Sequence, residues 1–115
     1  MVNYNFNISE IKRQFKPIAS AIISRDGTLL AGDLPAGITA ETFTIMCATM
    51  MGAAVTAHSE LRIGQPKIIR ITSDNNEVMM VGAGRKAMIV MVLPKGSDTE
   101  EISRKIGAIV DQMGD

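Results

Sequence analysis

Between Thr39 and Arg62 one set of side chains recurs at steps of three or four: Phe43, Cys47, Met50, Met51, Ala54, Val55, His58 and Leu61. That is the period of an amphipathic helix, so the spacing predicts a single helix of about 22 residues, about 33 Å long, with a wide apolar stripe facing a core. A narrower row runs beside the stripe. Thr49, Gly52, Ala53 and Thr56 keep that flank thin, and a glycine inside a helix costs about 0.5–1 kcal/mol relative to alanine, so another surface is expected to approach the backbone there. The chain's own sheet and a helix of a second chain are both able to supply it.

The remaining pattern is short and punctuated. Asn7 and Glu10 have the spacing of an N-cap pair, and Ile8, Ile11 and Phe15 then share one face of a short helix that Pro17 ends. Ile18–Ser24 and Thr28–Gly32 read as strands around Arg25, Asp26 and Gly27, where Asp-Gly supplies the positive backbone angles of a hairpin. Thr39 is placed to cap the long helix, and Gly64 with Pro66 closes it. Three more strands follow, Lys67–Ser73, Glu77–Ala83 and Ala87–Leu93, joined by connections too short for anything but antiparallel pairing. Both faces of the last two are apolar, as expected for a sheet covered on both sides. Lys67, Arg70 and Thr72 interrupt the first of the three, which marks it as an edge strand whose outer N–H and C=O groups are open to another strand. Ser97 and Glu100 form a capping box ahead of a closing helix lined by Ile102, Ile106, Ile109, Val110 and Met113. No linker, repeat or low-complexity stretch divides residues 1–115, which read as a single domain.

Charge and composition narrow the chemistry. Twelve Lys and Arg balance twelve Asp and Glu, and the aromatic residues are three Phe and one Tyr. Such a chain has neither the basic field nor the stacking surfaces that nucleic acid requires. The single cysteine, Cys47, falls on the apolar stripe as a small buried hydrophobe and forms no internal disulfide. The N-terminal stretch has no signal-peptide core and no continuous apolar run of 18 residues occurs, so the expectation is a cytoplasmic protein without direct membrane insertion. The nine Met alternate with Val and Ile in strands and read mainly as core filler.

Candidate reactive groups resolve into structural ones. His58 has no Cys, Asp or Glu at metal-ligand spacing, and no nucleophile elbow exists for it to serve. The sequence GAGRKA around Gly82 and Gly84 matches a dinucleotide fingerprint formally, yet a strand follows it where the pyrophosphate needs a helix N-terminus, so it reads as a turn. The reading is of a non-catalytic protein without cofactor or metal. Arg25, Arg85 and Lys86 in strand-end turns, with Arg62 at the close of the long helix, are the charges placed to touch an acidic partner or a phosphate.

Four stretches in this order, AIISRDGTLLAG (Ala21–Gly32), MCATMMGAAVTAHSEL (Met46–Leu61), GQPKIIRIT (Gly64–Thr72) and VGAGRKAMIVMVLP (Val81–Pro94), resemble the roadblock family named from the dynein light chain, in its bacterial and archaeal GTPase-regulator branch. The resemblance covers almost the whole chain. It implies a profilin-like three-layer α+β sandwich: a five-stranded antiparallel sheet in order 2-1-5-4-3, the long helix on one face and the two terminal helices on the other. It further implies a homodimer in which the third strand pairs with its twofold mate and the long helices lie side by side. The residues so implicated are Thr49, Gly52, Ala53 and Thr56 on the helix and Ile69, Arg70, Ile71 and Thr72 on the strand. Members of the family are platforms for a Ras-like small GTPase, so that partner is expected. A light-chain-like subunit of a transport or motility assembly and a small-molecule sensor are the alternative expectations.

Overall fold

The computed structural model describes residues 2–114. Along the chain the elements are α1 (Tyr4–Phe15), β1 (Ala19–Ser24), β2 (Leu29–Asp33), α2 (Ala40–Leu61), β3 (Ile68–Thr72), β4 (Asn76–Ala83), β5 (Ala87–Pro94) and α3 (Thr99–Met113). The strands form one antiparallel sheet in the order β2-β1-β5-β4-β3, as the resemblance implies. Three layers result. On one face Ile8 and Ile11 of α1 and Ile102, Ile106, Ile109 and Met113 of α3 pack against Ile22, Met79, Ile89, Met91 and Leu93. On the other, Cys47 and Met51 of α2 pack against Ala21, Ile23, Met80, Met88 and Val90. The alternation of strand side chains between these two apolar layers is why β4 and β5 are hydrophobic at successive positions.

The hairpin between β1 and β2 closes over Arg25, Asp26 and Gly27. Gly27 N–H donates to Ser24 O at 3.0 Å and Ser24 N–H to Thr28 O at 2.8 Å, with φ of +94° at Gly27. Of the Asp-Gly pair only the glycine takes the left-handed conformation, so the loop is a three-residue one. Beyond it the β1–β2 register slips between Ile22 and Ile23, a β-bulge. β3 pairs with β4 in unbroken register from Ile68 opposite Val81 to Thr72 opposite Glu77.

The helix starts differ from expectation. The α1 cap is Asn3, whose side chain accepts from Phe6 N–H, while Asn7 is buried inside the helix. Asp98 rather than Ser97 caps α3, accepting from Glu101 N–H at 3.0 Å, and Ser97 instead donates to Pro94 O at 2.7 Å. Thr39 occupies the N-cap position of α2 without a side-chain cap bond. At α3 the adjacent Ser97 and Asp98 compete for one role, and at α1 Asn3 takes it one helical turn ahead of Asn7.

The stripe on α2 is the larger correction. Its buried residues are Thr44, Cys47 and Met51. Met50 and Leu61, expected in the core, are 38% and 68% exposed. A straight helix lying on a twisted sheet presses along a narrow seam, and the apolar arc of α2 is wider than that seam. By length and composition alone α2 is also long and apolar enough to cross a membrane, and it lies only partly buried on the sheet. No continuous apolar run of 18 residues occurs in it, since Thr and Gly interrupt the stretch, but its average is high enough by composition.

Candidate functional site

α2 carries no Asp, Glu, Lys or Arg between Glu41 and Glu60. Thr44, Cys47 and Met51, at steps of three and four, face the sheet. Thr49, Ala53 and Thr56, also at steps of four and three, fall on the opposite side of the helix and are exposed. Thr49 Oγ1 donates to Ile45 O at 2.8 Å, so its hydroxyl is spent within the helix and the methyl is what it offers outward. Met46 and Met50, 50% and 38% exposed, continue this uncharged face. A Cβ at Gly52 would meet no atom within 4 Å. The chain's own sheet therefore does not approach the thin flank, and that alternative is removed.

On the same side of the sheet lies the open margin of β3. Gly82 N–H donates to Lys67 O and Ser73 N–H to Asn76 O, both at 2.9 Å. The odd-numbered residues of β3 thus turn their main-chain groups toward β4, and by the alternation of an antiparallel ladder Ile68, Arg70 and Thr72 turn theirs outward. Ile69 packs into the α2 layer, which puts Ile71 on that face too, 37% exposed. Arg70 and Thr72 project from the other face, where both bind the Glu77 carboxylate, Arg70 Nη2 at 3.1 Å from Oε1. These hydrogen bonds hold the Glu77 carboxyl below the usual carboxylate range, Thr72 contributing most.

A cleft of about 600 Å³ opens between α2 and the turns at one end of the sheet, lined by Arg25, Ala48, Met51, Gly52, Val55, Gln65 and Arg85. The β1–β2 loop supplies Arg25 and the β4–β5 turn supplies Arg85. Arg25 N–H donates to Lys86 O at 3.0 Å and Arg25 Nη2 to Gly84 O at 2.6 Å, which tie the two turns together. The guanidinium lies over Gly82, where a Cβ would sit 3.1 Å from Nη2. Arg25 Nε is buried without a hydrogen-bond partner, and burial pushes the guanidinium below its ordinary pKa. Among the described residues no carboxylate pairs with Arg25.

Of the charges singled out in the sequence, the cleft thus unites Arg25 and Arg85. Lys86 is exposed in the turn beyond, and Arg62, also exposed, ends α2 in the left-handed conformation with φ of 57°. Sequence reasoning missed Gln65, Ala48 and the bed formed by Gly82; the glycine before an exposed Gly-Arg-Lys turn was the available signal. His58 Nδ1 lies 3.0 Å from Ala54 O, and no metal-binding cluster occurs among the described residues. Cys47 is 2% exposed, and burial raises its thiol pKa.

Comparison with known proteins follows this geometry. Protein MJ0310 of Methanocaldococcus jannaschii is 28% identical over 72 residues, so the match spans 63% of this chain and 63% of that relative's length. Among solved structures, MglB of Myxococcus xanthus superposes with a TM-score of 0.87 at 10% identity, covering 94% of this chain and 89% of that one. An MglB with a tetrameric arrangement gives 0.82 at 15% identity, over 94% and 82%. Acanthamoeba castellanii profilin II gives 0.61 at 15% identity, over 95% and 94%. At these identities the likeness to solved structures is one of fold, and the fold is profilin-like. The Roadblock/LC7 domain model matches residues 6–93, most of the sheet and all of α2 included, and the chain belongs to the Roadblock/LC7 domain family.

Proposed function

We propose that this protein is a non-catalytic homodimeric scaffold that binds and regulates a Ras-like small GTPase. The observation that carries the reading is the meeting of two unsatisfied surfaces on one side of the fold: a regular, open β3 margin and an uncharged, largely exposed α2. Uncovered main-chain groups on an edge invite strand addition, and a second copy meets them with the same edge, closing both at once. Thr49, Ala53 and Thr56 let two α2 helices approach closely, with Gly52 beside them. Family membership and the MglB folds support the reading, one MglB being known in a tetrameric arrangement. The GTPase assignment rests on the resemblance to the regulator branch of the family.

Two measurements test it. Sedimentation equilibrium is expected to give twice the chain mass of 12.4 kDa; a monomer at micromolar concentration refutes the closed edge. Affinity capture from the native source in GTP and GDP analogues is expected to return a small GTPase in a nucleotide-dependent manner. A dimer that captures no GTPase leaves the assembly standing and removes the proposed role.

A further inference from the structure

The cleft beneath α2 combines features that the assembly of two copies does not require. Its volume, about 600 Å³, lies in the range of small-ligand sites. α2 gives it an apolar wall from Met51, Gly52 and Val55, and the turns contribute Arg25 and Arg85. Arg25 is a built part of this wall. Gly82 makes room for its guanidinium, Gly84 O anchors it at 2.6 Å, and its Nε is buried without a partner. Arg25 is half-buried, with its Nε shielded from water and unpartnered, and an anion placed against the guanidinium adds charge-assisted hydrogen bonds.

From this geometry we infer that the cleft is a binding site for a small organic anion, its carboxylate or phosphate held at Arg25 and Arg85 and its apolar portion laid along α2. The site does not depend on the proposed GTPase, and it shares Gly52 with the flank proposed to meet a second α2. It gives the fold a means of sensing a metabolite class through groups that lie in turns at one end of the sheet.

The test uses the intact protein and four probes of equal chain length, octanoate, octyl phosphate, octanol and octylammonium, with inorganic phosphate as a fifth. Amide chemical shifts followed during titration are expected to move saturably with octanoate or octyl phosphate, at residues 25, 48–55, 65 and 85. The stronger of the two anions identifies the headgroup. Octanol and octylammonium are expected to bind at least about tenfold more weakly, and Arg25→Gln to weaken the anion by a similar factor. Arg85→Gln, on an exposed turn, keeps the test available should the first variant fold poorly. No saturable response to either anion overturns the inference, as does equal binding of octanol, which marks a merely greasy groove, or a response confined to other residues. Inorganic phosphate binding as tightly as octyl phosphate removes the apolar half of the site. Sedimentation of the same samples separates these results from any change in assembly.

Discussion

An alanine at position 82 would bring a Cβ to 3.1 Å from Arg25 Nη2, so one of the two must yield by a few tenths of an ångström. The atom that yields is the far end of a flexible side chain, whereas the backbone of β4 is fixed by its pairing on both sides. Gly82→Ala is therefore expected to alter folding stability by less than about 1 kcal/mol while displacing the guanidinium from its bed. Urea unfolding together with octanoate titration checks both halves, and a fully retained affinity refutes the role given to Gly82. Neither the role nor the cleft was legible in the sequence. Arg25 and the Gly84 carbonyl it binds are 59 positions apart, and a charge in a turn carries no local sign of what folds over it.

At the scale of elements, β3 and β4 are joined across one face by Arg70, Thr72 and Glu77. A carboxylate held below its ordinary pKa adds stability that is fully present above the unfolded value, near 4.5, and is lost as pH falls through the folded value. Glu77→Gln is thus expected to be less stable than the wild type at neutral pH, and the difference is expected to close as the solution is acidified past about pH 4.5. Paired thermal melts across that range decide; a gap independent of pH assigns the loss to packing. On the neighbouring element, Ala53→Arg places a charge on the outward face of α2, and Ile71→Lys places one at the β3 margin. Each is expected to raise the dimer dissociation constant by about a hundredfold, the order of a few kcal/mol that an unpaired buried charge costs, measured by sedimentation. Element order and the pairing of consecutive strands were legible because Asp-Gly and Asp-Asn-Asn connections leave no room for crossovers, whereas the β1–β5 pairing was implied only by the family resemblance. The buried seam of α2 was not, because a sequence period gives the width of an apolar arc and not the width of what covers it. The caps slipped because more than one acceptor was on offer, Asp98 beside Ser97 at α3 and Asn3 one turn ahead of Asn7 at α1.

Taken whole, the molecule is electrically balanced, with twelve positive and twelve negative side chains. Of the surfaces proposed to pair, the α2 face is uncharged and the β3 margin offers main-chain groups, so their association is expected to be driven by apolar burial and main-chain hydrogen bonds. Raising sodium chloride from about 0.05 M to about 0.5 M, which shortens the screening length severalfold, is expected to leave the dimer mass unchanged. Dissociation at the higher salt, followed by light scattering, would point to charge pairs instead. Anion binding in the cleft is expected to weaken over the same range, and this opposite response gives each surface its own signature.

The slipped register beside β2 bears on how far such a sheet can extend. When two copies join through β3, their β2 strands become the outermost rows of a continuous ribbon, and each outermost row is the one whose pairing is kinked at Ile22 and Ile23. A third copy arriving there finds a crooked template. In the proposed dimer, growth by strand addition is therefore expected to stop at the pair, leaving a finite ribbon.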